Sequence, residues 1–74
     1  MKYDFSKLRG KIRELFGKDE AFAKAMNLST RSLSLKLTGE RYFKPPEISR
    51  AIELLQLQPS DIPAYFFTVE VQNV

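Results

Sequence analysis

Apolar residues recur along most of this chain at spacings of three and four, and only near its end do they fall into alternation. The first stripe is Phe5, Leu8, Ile12, Leu15 and Phe16, preceded by Asp4 and Ser6, both competent to cap a helix. It predicts an amphipathic helix that ends near Gly17. Lys7, Arg9, Lys11, Arg13 and Glu14 then form a solvated charged face on its outside.

Lys18, Asp19 and Glu20 restart a helix, with acidic residues in the first turn where the positive end of the dipole favours them. Its stripe, Phe22, Ala23 and Met26, closes at Asn27, a residue that tolerates the left-handed backbone of a helix end. Asn27, Leu28 and Ser29 read as a tight turn, with Ser29 as the next N-cap. The third helix, Thr30–Leu37, has buried spacing at Leu33 and Leu37 only, while Thr30, Arg31, Ser32, Ser34 and Lys36 are polar or basic. One face packs and the other is left for a partner.

Gly39 ends that helix, and 40–46 reads as a loop whose prolines cannot continue a helix but can begin one. A fourth helix is expected from about Pro46, with Ile48, Ala51, Ile52 and Leu55 as its stripe, followed by Leu57 and a break at Pro59. Residues 60–65 suit one or two helical turns. In 65–74, Phe67, Val69 and Val71 alternate with Thr68 and Glu70, a period of two that argues for an extended strand. There are no internal repeats.

Composition narrows what such a chain does. Seventy-four residues, 43% of them hydrophobic, enclose one modest core and are too apolar for a disordered tail. Twelve Lys and Arg against nine Asp and Glu leave +3, a mild bias that permits a polyanionic partner without requiring one. The chain has no Cys and no His, which removes the usual nucleophile, general base and transition-metal ligands. We therefore expect no enzyme activity, no metal or other cofactor and no small-molecule ligand. No apolar run approaches the roughly 20 residues that span a bilayer, so no membrane partner is expected and the location expected is the cytoplasm.

The informative unit is the order of parts over 18–39: a helix, a turn of about three residues, then a helix with a polar, basic outer face. Such a pair can lay its second helix in the major groove while the first crosses the phosphate backbone. Here the sequence resembles the lambda-repressor-like helix-turn-helix family, in particular small phage Cro-like regulators. The matching residues are Phe22 and Ala23, the turn Asn27, Leu28 and Ser29, then Leu33, and Lys36, Leu37, Thr38 and Gly39. Glu47 and Ile48, Leu54 and Leu55, and Tyr65, Phe66 and Phe67 extend the likeness over essentially the whole chain. The fold it implies is all-α: a compact four- to five-helix DNA-binding domain over 1–64, then an extended tail over 65–74 with a short C-terminal β-strand.

The resemblance puts Thr30, Arg31 and Ser32 where base edges are reached, with Leu35 and Lys36 further along the same helix. Arg31 suits the O6 and N7 acceptors of guanine, a pair worth about 1–3 kcal/mol of discrimination; a phosphate contact or a solvated side chain is its alternative. Leu35 is set either on thymine methyl groups or under a neighbouring helix. Lys18, Ser29, Thr38, Arg41, Tyr42 and Lys44 are the candidate phosphate neighbours, which orient without reading sequence. Asp19 departs from the family, where Gln is common, and its carboxylate repels a phosphate.

One module reads few base pairs, so a homodimer on a palindromic operator is expected. Tyr65, Phe66, Phe67, Val69 and Val71 are the candidate dimerisation residues, against the alternative that the tail folds over its own core. The function implied is that of a phage or prophage repressor on double-stranded operator DNA. The competing function is a helix-turn-helix protein-interaction module, antirepressor- or antitoxin-like, that does not read DNA.

Overall fold

In a computed structural model, residues 3–69 are described. Five α-helices and one 3-10 turn follow in order: α1 Ser6–Phe16, α2 Asp19–Ala25, α3 Thr30–Leu37, α4 Pro45–Leu54, a turn at Pro59–Asp61 and α5 Ile62–Phe66. The all-α expectation holds, with no strand among the described residues.

The apolar stripes meet as their spacing predicts. Phe5, Leu8 and Ile12 of the first stripe, Phe22, Ala23 and Met26 of the second, Leu33 and Leu37 of α3, and Ala51 of α4 with Leu55 at its C-cap form one buried cluster, which Phe66 closes from α5. Leu15 is the exception, at 41% exposed. Phe16 instead turns its ring edge-on to Phe22, with centroids 5.2 Å apart.

Helix ends explain why the segments stop where they do. Asp4 prepares α1: its Oδ1 accepts the Ser6 backbone N–H at 2.8 Å and the Ser6 hydroxyl at 2.6 Å. Helices α2, α3 and α4 all close in one way, through a residue with a left-handed backbone: Asn27 (φ 61), Gly39 (φ 88) and Gln56 (φ 57). After each, the next N–H reaches back five residues, Leu28 to Ala23 at 2.8 Å, Glu40 to Leu35 at 3.0 Å and Leu57 to Ile52 at 2.8 Å, satisfying carbonyls the helix itself cannot. Asn27 and Gly39 are legible from residue type, whereas Gln56 is not.

The C-terminal expectation needs correction. Tyr65 and Phe66 lie in α5 rather than in a strand, because the Pro59 and Pro63 segment supplies helical turns that carry Phe66 into the core at 2% exposed. Among the described residues, extended pairing is one antiparallel bridge between Val69 and Tyr3, with the Asp4 N–H donating to the Thr68 carbonyl at 2.7 Å. Phe66 thus joins the core, and 67–69 lie against the N-terminal segment, where the Phe67 ring also meets the Tyr3 ring edge-on at 5.8 Å. Val71 lies outside the described residues.

Candidate functional site

The outward face of α3 is built by its two ends. At the start, Ser29 is the N-cap: its Oγ accepts the Ser32 backbone N–H at 3.0 Å and donates to the Ser32 hydroxyl at 3.0 Å. At the end, the Thr38 hydroxyl donates to the Leu35 carbonyl at 3.1 Å. Leu33 and Leu37 anchor the inner side, as their spacing predicts. Thr30, Arg31 and Ser34 are exposed, and Ser32 and Leu35 are half-buried.

Lys36 departs from expectation. It is 5% exposed, and its ammonium meets the Glu47 carboxylate at 2.9 Å, donates to the Tyr42 carbonyl at 3.0 Å and lies 6.0 Å from the centre of the Phe43 ring. A charge held this way is turned into the protein, so Lys36 is withdrawn as a base-reading residue. The physical reason is helical phase: Lys36 follows Ser32 by four residues on the side facing α4, and the loop at 40–44 folds over it. Arg31 is left as the exposed cation of the helix.

Glu47, which sequence reasoning missed as a working residue, ties this corner together. Its Oε1 accepts the Lys44 backbone N–H at 2.8 Å while pairing with Lys36, so one oxygen joins the end of α3 to the start of α4. Burial pushes its carboxyl up, but the Lys44 N–H, the Lys36 hydrogen bond and the two positive charges outweigh that and hold it below the usual carboxylate value. The signal was present: a Glu three residues after the residue preceding Pro45 has capping-box spacing.

The other candidates divide. Lys18, Arg41 and Lys44 are exposed cations, and Tyr42 is 77% exposed. Lys18 sits at the N-cap of α2 with Asp19 behind it. Among the proposed dimerisation residues, Phe66 is spent on the core and Tyr65 is half-buried with the Lys7 ammonium 5.0 Å from its ring centre. Phe67 and Val69 are exposed at 49% and 43%. Among the described residues no helix is long and apolar enough to cross a membrane.

A family profile described as "Protein of unknown function (DUF739)" matches residues 1–69. The chain belongs to the DUF739 family. No curated protein matches it. Among solved structures, this DUF739 chain is similar to the solution structure of the modulator of repression (MOR) of the temperate bacteriophage TP901-1 from Lactococcus lactis. Identity is 49%, the match covers 97% of each chain, and the TM-score is 0.80. The fold is therefore that of a small helical phage regulator. The expected kinship with Cro-like operator binders is met only in its coarser part, since the match is to a regulator that modulates repression.

Proposed function

We propose that this DUF739 protein modulates a phage repressor by binding it as a protein, in place of reading an operator itself. The single observation that carries the reading is the inward commitment of Lys36, which leaves α3 with one exposed cation, Arg31. Affinity for DNA rests largely on how many phosphates are neutralised, and non-specific binding alone asks for several. A helix face of Thr30, Arg31, Ser34 and half-buried Leu35 suits a protein surface, where Arg and apolar contacts carry most of the affinity. The 49% identity to a modulator of repression supports the same reading.

Operator DNA is the second reading. It draws on Arg31, exposed one residue into a helix with a formed Ser29 cap, as a reader of guanine. Fluorescence anisotropy of a labelled operator separates the two. The chain alone is expected to leave the anisotropy of the operator unchanged, and to alter it once the repressor of the same phage is bound. Saturable, sequence-dependent binding of operator by the chain alone overturns the proposal.

A further inference from the structure

The loop at 40–44 is exposed except at Phe43, yet every residue of it is held, four through the backbone and Phe43 through its ring. The Glu40 and Arg41 N–H groups donate to the Leu35 carbonyl at 3.0 and 3.2 Å, and the Tyr42 carbonyl accepts from Lys36 at 3.0 Å. Phe43 stands edge-on between Phe5 and Phe66, with centroids 5.6 and 5.3 Å away, and the Lys44 N–H is held by Glu47 at 2.8 Å. The Tyr42 side chain, carried on this rigid support, is 77% exposed, the most exposed large hydrophobic residue among those described.

Arg41 and Tyr42 form a ridge between two depressions. On one side is an apolar pocket of about 60 Å³ walled by Phe5, Phe43 and Phe66. On the other is a wider groove, about 530 Å³, that runs from Leu28 and Ser32 to Lys44. Among the described residues the ion pairs are Lys11 with Glu14 and Lys36 with Glu47; Arg41 makes none, and Lys44, whose charge acts on Glu47 from farther off, makes none within 4.0 Å.

We propose that this ridge is the docking anchor for a protein segment that carries an apolar side chain beside a carboxylate. The apolar group seats in the pocket against Tyr42, and the carboxylate meets Arg41 and Lys44. An aromatic residue on a preorganised loop gives contact area at low entropic cost, and Tyr and Arg are the residue types that dominate interface energetics. Charge complementarity selects an acidic segment. A DNA backbone supplies phosphate for the two cations but nothing apolar for the pocket, so the protein segment is the better fit. This inference rests on the reading that the partner is a protein, and it names the surface and the chemistry of that contact.

Calorimetric titration of the full chain with the repressor of its phage tests it, using Tyr42→Ala, Arg41→Glu and Arg13→Ala beside the unaltered chain. Because Tyr42 and Arg41 are exposed, their variants are expected to keep the thermal midpoint. Tyr42→Ala should weaken binding about 30-fold or more and Arg41→Glu at least about 10-fold, whereas Arg13→Ala, on the solvated outer face of α1, should stay within about 3-fold. If the unaltered chain binds and the ridge variants bind equally well, the ridge is not the anchor, although the protein-partner reading stands. If the unaltered chain does not bind the repressor, both fail. If duplex DNA binds and only Arg41→Glu weakens it, the ridge is a phosphate contact and the inference is overturned.

Discussion

Lys36 and Glu47 meet at 2.9 Å across the junction of α3 and α4, with side chains only 7% and 19% exposed. Removing one member of such a pair strands the other, and the deeper charge costs more to strand. Glu47→Leu should therefore destabilise the fold by about 2 kcal/mol and Lys36→Met by about 1 kcal/mol. The double variant Lys36→Met, Glu47→Leu should lie within about 1 kcal/mol of the unaltered chain, since apolar pairs of similar volume often replace buried ion pairs at little cost. Urea midpoints of the four proteins check this, and additive losses would show that the two residues do not act as a pair.

The same carboxylate sets the response to acid. Glu47 and Asp4 are both held below the ordinary values of their carboxyl groups; for Asp4 the Ser6 hydroxyl and then the Ser6 N–H are the cause. An unfolded chain thus binds protons at a higher pH than the folded one. The stability these groups contribute is complete above the unfolded-state values and is lost as pH falls through the folded-state ones. With no His in the chain, the thermal midpoint should be flat from about pH 8 to 5.5 and fall below about pH 4.5. Glu47→Gln should make that fall shallower, and an unchanged acid limb would remove Glu47 from the account.

Helix closure offers a gain as well as a loss. Gln56 holds a left-handed backbone (φ 57) that costs a side-chain-bearing residue about 1 kcal/mol. Gln56→Gly should raise stability by about 0.5–1 kcal/mol, and Asn27→Gly by less, because Asn tolerates that conformation. Gly39→Ala should lower it by about 1 kcal/mol, through φ alone, since nothing lies within 4 Å of an added Cβ. Equal midpoints for all three would mean that these ends relax without strain.

Much of this fold was readable because periodicity reports burial directly. Leu8, Ile12, Phe22, Leu33, Ala51 and Leu55 are core residues in the stripes and in the structure alike. Asn27 and Ser29 took their expected places because residue type and backbone conformation are coupled. The site was less legible. Polar residues at helical spacing do not say which neighbour covers them, and Lys36 is covered by a loop and by α4, both distant in sequence. The tail misled for a related reason. Tyr65 and Phe66 read as part of the extended tail, but burying Phe66 in the core sets both in α5, which ends before the alternating residues begin.

The Ser29 cap shapes the candidate surface without contributing core. Ser29→Ala removes the acceptor for the Ser32 N–H and should cost about 1 kcal/mol. It should also increase amide exchange at Ser32 and its neighbours in the first turn of α3. A normal exchange rate there would show that the turn is held by packing instead.

A chain that acts on a repressor as a protein has no operator preference of its own. Selection of bound duplexes from a random DNA pool by the isolated chain, at about 150 mM salt, tests that directly. The prediction is weak retention, no enriched motif, and a shallow log–log salt slope of about one or two phosphates. A recovered palindromic motif that Arg31→Ala relaxes at one position per half-site would contradict it and restore the operator-binding reading.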